Sequence, residues 1–189
     1  MSTKILVIPE DAKYNGYILK PIVQRVVAEA GRAKAQITIL PRAKSGGIDS
    51  AKNAIRNELA PAWRWMDLWL FIPDGDRMNA AGAAEMERQL AAQNIALICC
   101  PAMPEIEAWL LAGHRARLNI EWNRVAGHPR FKEEVFEPFM REHGYPDLPG
   151  MGREKLTLET LANYAGLKHL CPEIERLEER IREHFAGRP

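Results

Sequence analysis

A chain of 189 residues with 47% hydrophobic side chains suits one domain able to fill its own core, and its net charge of +1 argues neither for a non-specific polyanion binder nor against a local basic groove. Cys99, Cys100 and Cys171 form no CxxC pair or metal spacing, which points to a reducing compartment. No apolar run reaches the roughly 20 residues that cross a bilayer, and the start Met-Ser-Thr-Lys-Ile lacks the features of a signal peptide, so the expectation is a soluble, cytoplasmic protein with no membrane partner.

Residues 5–8 read as a first strand, short and apolar, and they lead into Glu10-Asp11. Ile18, Ile22, Val26 and Val27 recur at helical spacing and stop before Gly31. A second strand at 36–40 runs into Arg42, Lys44 and Gly46-Gly47; the cations there are placed to steer phosphate, while the diglycine reads as an ordinary turn. A helix at 51–59 is expected to stop before Pro61. The third strand, 68–72, is flanked by Trp65 and Trp69, both read as core. A helix at 80–92 and a strand at 95–100 complete a β-α-β-α-β-α-β pattern, which implies a parallel sheet covered on both faces.

After Pro101 no further strand is expected. Pro104 suits the first turn of a helix over 105–112 that ends at Gly113, and helices follow at 131–143, 156–165 and 172–185. The chain thus divides into an α/β core, 1–103, and a helical part, 104–189, packed on that core, with one compact domain as the alternative.

The chemistry gathers at strand ends. Asp74 and Asp76 stand one residue apart after the third strand, and side chains at that spacing in extended backbone point the same way, so their oxygens can share one hard cation. Right-handed crossovers would bring the ends of the first and third strands to one edge, adding Glu10 and Asp11. Carboxylates crowded there repel one another unless a cation neutralises them. Acids that merely cap helices or solvate turns are the plainer alternative. A phosphoryl-accepting receiver domain is disfavoured, because the fourth run ends Cys99-Cys100-Pro101 without a hydroxyl and no fifth strand supplies a lysine.

Glutamate after the first strand and Asp-x-Asp after the third resemble the Toprim superfamily. The stretch from Ile5 to Glu10 followed by Tyr17-Ile18-Leu19-Lys20-Pro21, the Asp74-Gly75-Asp76 pair, Glu105-Ile106-Glu107-Ala108-Trp109-Leu110-Leu111-Ala112, Gly152-Arg153-Glu154-Lys155-Leu156 and Cys171-Pro172-Glu173 are similar to small Toprim proteins of the DUF4276 type, related to overcoming-lysogenization-defect nucleases. Two positions depart from that pattern: Asp11 stands where a glycine is common, and Ala112-Gly113-His114 where the tryptophan-bearing helix often ends in an acid.

The resemblance implies a Toprim/Rossmann-like four-stranded parallel sheet with a helical C-terminal appendage, and a Mg²⁺- or Mn²⁺-dependent nuclease acting on DNA or RNA. It also implies an ABC-type or AAA ATPase partner in a phage-defence or repair setting, with a homo-oligomer compatible. Glu10, Asp74 and Asp76 would be the metal ligands and Glu10 also a general acid or base, with Asp11 in reserve. Glu105 and Glu107, two apart on one helix, would point in opposite directions, so only one can face the site. Glu107 is the choice, with Glu105 and His114 secondary. Lys155, beside Arg153, would supply positive charge to the transition state. A non-catalytic module that holds a metal or phosphate ligand and docks a partner, and a small-molecule phosphohydrolase, are the alternatives.

Overall fold

A computed structural model describes residues 2–10, 12–40 and 48–187, with Ala12 and Asp76 described by backbone alone. The four β-prone runs form one sheet. Strands β1 (Lys4–Pro9), β2 (Gln36–Ile39), β3 (Leu68–Ile72) and β4 (Leu97–Cys99) lie in the order β2-β1-β3-β4, and each neighbouring pair is parallel. Ile5, Val7, Leu68, Leu70 and Ile72 face one layer, while Leu6, Ile8, Trp69 and Phe71 face the other. Burial on both faces is why these strands read as unbroken apolar runs rather than alternating ones.

Helix α1 (Ala12–Val27) covers the first face, and it continues into a wider turn, Ala28–Arg32, where Gly31 takes φ 88° and lets the chain leave the helix. On the opposite face lie α2 (Ile48–Asn53) with its wide-turn continuation Ala54–Glu58, the short α3 (Ala60–Trp63), and α4 (Ala80–Ala91). This division follows from handedness. The step from β1 to β2 runs one way across the sheet and the steps to β3 and β4 run the other, so right-handed crossovers put α1 and α4 on opposite faces. The reversal creates a topological switch point between β1 and β3, where open α/β sheets leave a crevice beyond their C-terminal ends.

Beyond β4 the described residues are helical or irregular: α5 (Ile106–Ala112), a wide turn Lys132–Phe136 leading into α6 (Glu137–His143), α7 (Arg153–Leu161), α8 (Tyr164–Leu170) and α9 (Pro172–His184). One apolar cluster runs from Ile5 and Leu70 through Ile22, Trp109 and Phe136 to Leu156 and Leu177. The C-terminal helices therefore share the sheet's core. The architecture is α/β, consistent with the Toprim/Rossmann-like arrangement expected, and among the described residues no helix is long and apolar enough to cross a membrane.

Several local expectations are corrected. The helical segment stops at Glu58, before Pro61 as expected, but a separate short helix, α3, starts around the proline, which in a first turn lacks only an N–H that has no partner there. The single helix expected over 156–165 is two: α7 begins at Arg153, and Asn163 starts α8 by accepting from Gly166 N at 3.0 Å. Trp69 is core, but Trp65 is 56% exposed, stacked on Trp63 with the Lys4 ammonium 4.8 Å from its ring. Trp65 precedes β3, so the strand's burial does not extend to it.

The outer edge of β4 is closed by side chains. Cys99 N donates to Glu87 Oε1 at 2.8 Å, Arg180 Nη1 donates to Cys99 O at 3.2 Å, and Arg180 and Glu87 pair at 2.8 Å. An ion pair from α4 and α9 thus takes the outward N–H and C=O of Cys99, which a fifth strand would otherwise use.

Candidate acidic site

Glu10 immediately follows β1, and Asp74 stands two residues past the end of β3, so the acids flank the switch point. The sheet extends a little here: Ala102 N donates to Pro73 O at 2.9 Å, and Asp74 bridges Ala102 in parallel fashion. The glycine between the aspartates has a packing reason. Gly75 N donates to Pro104 O at 2.8 Å, and a Cβ on Gly75 would sit 2.6 Å from Ala102 O. Only glycine lets the two loops approach this closely.

The loop carrying Glu105 is held from behind. Trp109 Nε1 and Met103 N both donate to Glu173 Oε1, at 2.7 and 3.2 Å, and Cys100 Sγ lies 3.6 Å from Glu173 O. Trp109 is fully buried, so the tryptophan and the Cys171-Pro172-Glu173 turn form the scaffold of the site. On the near side, Ile106 N donates to Asp74 Oδ1 at 3.4 Å.

Glu105 and Glu107 correct the helical argument made from their spacing. Glu105 precedes the first helical residue and is extended, with φ −143° and ψ 163°, so helical periodicity does not separate it from Glu107. Both acids act on Asp74. Its carboxyl is pushed up to about 7, first by burial, then by the charges of Glu107, Glu105 and Glu10, against a small opposing effect of the Ile106 N–H. Glu107 is 1% exposed, its Oε1 lies 3.0 Å from Lys132 Nζ, and its Oε2 has no hydrogen-bond partner among the described residues. Glu10 Oε2 is likewise buried and without such a partner.

Lys132 is the residue that sequence reasoning missed. Burial pushes its ammonium down, but Glu107, by charge and hydrogen bond, and then Glu105 and Asp74 outweigh that, so its proton is held more tightly than usual. Its Nζ also lies 4.0 Å from Glu105 Oε2. No motif marks it. The only signal is that a carboxylate as deeply buried as Glu107 needs a cation, and the first turn of the 131–143 segment supplies one.

The other described candidates have contacts of their own. Lys155 is exposed, with its ammonium 3.7 Å from the Tyr145 ring, whereas Lys132 pairs with the acids. Arg153 is buried, donates to Gly150 O at 2.9 Å and lies over the rings of Tyr14 and Phe136. His114 is buried beside Phe139 with Nε2 3.0 Å from Leu156 O, which makes it a tie between α5 and α7. Asp11, Arg42, Lys44, Gly46 and Gly47 lie outside the described residues, as does the side chain of Asp76, whose backbone is in the single turn Gly75–Arg77.

For a hard cation the donor chemistry fits: the cluster offers carboxylate oxygens, with Glu10 Oε2 and Glu107 Oε2 buried and without a hydrogen-bond partner among the described residues, beside Asp74, whose carboxyl is pushed up by burial and neighbouring acids. Among the described residues, no three His, Cys, Asp or Glu side chains are placed to hold one ion together, a search that leaves out Asp76. Comparison of the chain with protein-family models, with curated proteins and with solved structures returns no match.

Proposed function

We propose that the chain is a Toprim-like, Mg²⁺- or Mn²⁺-dependent phosphodiesterase that hydrolyses nucleic acid. The observation that carries this reading is the gathering of Glu10, Glu105 and Glu107 around the buried Asp74 at the ends of the adjacent strands β1 and β3, where they and burial raise its carboxyl to about 7. A bound divalent cation would supply the positive charge that a phosphoryl group in displacement requires. Glu10, Asp74 and Asp76 would hold it, using the hard oxygens such ions prefer. A cation held there would favour the ionised form of Asp74. Glu10 Oε2, buried and unbonded, is an acceptor for the proton of an attacking water. Lys132 pairs with Glu107 at 3.0 Å and so holds in place one of the carboxylates that act on Asp74.

The test is cleavage of labelled single- and double-stranded DNA and RNA with Mg²⁺ or Mn²⁺. Asp74→Asn and Asp76→Asn should each lower the rate by roughly two to three orders of magnitude, with the circular dichroism unchanged. Equal cleavage in EDTA, or in both variants, removes the reading.

A second reading is favoured by the Lys132–Glu107 pair, which already supplies some positive charge from within the chain. On that reading the edge is a binding module that holds a metal or phosphate ligand for a protein partner. Calorimetry that detects Mg²⁺ binding while no substrate turns over would favour it.

A further inference from the structure

A cleft of about 430 Å³ opens between α4 and α9, beyond the end of β4, and it borders the acidic edge through Gly75 and Met103. Its volume lies in the range of sites for small organic ligands. The walls are apolar and sulfur-rich: Met78, Met103, Cys99, Ala84 and Leu177 line it. Polar groups stand among them in specific positions. Glu173 lines the cleft and uses Oε1 for Trp109 and Met103 N, and its Oε2 accepts from no described residue. Arg176 is exposed on the lining, donates only to Pro172 O at 3.4 Å, and pairs with no carboxylate among the described residues.

We infer that this cleft receives the base and sugar of a nucleotide whose phosphate meets the acidic edge. Three features select a flat heterocycle with a polar rim over an acyl chain. Two thioethers offer the contacts that sulfur makes with aromatic rings, a guanidinium can stack on a ring face, and a carboxylate oxygen is available to an amino or hydroxyl group. An alkyl chain would leave Glu173 Oε2 and Arg176 without a role. The adjoining edge supplies the other half of the ligand, since its buried carboxylates attract phosphate only through a cation. A cleft of this volume suits one unpaired nucleotide, so a duplex would enter only at a frayed end or with a base turned out of the stack. The substrate class that follows is single-stranded nucleic acid or a mononucleotide.

This inference rests on the phosphodiesterase reading for the phosphate half of the ligand, and the experiment separates the two. Protein labelled with ¹³C at the methionine methyls is titrated in EDTA with nucleosides, then with nucleoside 5′-monophosphates and Mg²⁺, and with a short alkyl phosphate as control. The Met78 and Met103 methyls should shift with nucleosides even in EDTA, and more tightly with monophosphates and Mg²⁺. Ala84→Trp fills the cleft from an exposed position, and it should weaken binding by roughly tenfold or more while the spectrum stays folded. Absence of shifts at both methyls, an equal response to alkyl phosphate, or unchanged affinity in Ala84→Trp overturns the inference. Nucleoside binding that persists while cleavage proves independent of metal would sink the phosphodiesterase reading and leave the cleft assignment standing.

Discussion

Burial and three neighbouring glutamates raise the Asp74 carboxyl, and the effect on stability has a definite sign. In the unfolded chain an aspartate titrates near 3.9, whereas here the carboxyl titrates at about 7. Between those values the folded protein holds a proton that the unfolded chain has released, so stability falls as pH rises across that window, and the full cost stands above it. Asp74→Asn removes the cost. The variant should gain about 2 kcal/mol over the parent at pH 8 and nothing at pH 3.5, read from urea midpoints at the two pH values. A gain independent of pH would contradict the electrostatic account. At this scale the sequence showed Asp74 and Glu10 clearly, because acids directly after apolar runs stand out. Lys132 was not legible, since its partner Glu107 is distant along the chain and only packing brings the two together.

At the scale of elements, the site depends on how closely the turn after β3 approaches the loop before α5. Gly75 sets that distance. Gly75→Ala must push against the Ala102 backbone, and should cost about 1–3 kcal/mol in stability while displacing Asp74 from the Ile106 N–H. Thermal unfolding and the loss of any Mg²⁺ affinity check both effects; a variant that keeps both stability and affinity would show that the two loops can separate freely. The strands were legible because burial on both faces leaves a continuous apolar signature, while Pro104, expected in the first turn of α5, stands before its N-cap Glu105. What spacing alone could not give was the state of Glu105. Whether two acids at i and i+2 diverge depends on which residue begins the helix, and one position of uncertainty there reverses the conclusion.

At the scale of the whole molecule, the alternating pattern of the first hundred residues was enough to expect a parallel sheet, but strand order came only with the fold. The order β2-β1-β3-β4 places the switch point between the two acid-bearing strands. The same order leaves β4 on the outside, where a parallel strand with open backbone groups is a template for another chain. Glu87 and Arg180 stand in for that neighbour at Cys99. Arg180→Ala should free the edge and yield concentration-dependent oligomers by light scattering, while the parent's association state stays constant over the same range. A variant that shows no concentration dependence would mean that α4 and α9 shield the strand without help from the pair.

That pair has a further consequence. A sheet that ends in hydrogen bonds from side chains is terminated by groups that ionic strength can weaken, whereas a strand paired to a strand is not. If the pair alone keeps other chains from this edge, a single guanidinium and a single carboxylate separate one molecule from an assembly. Salt, rather than heat, is the variable expected to move that boundary.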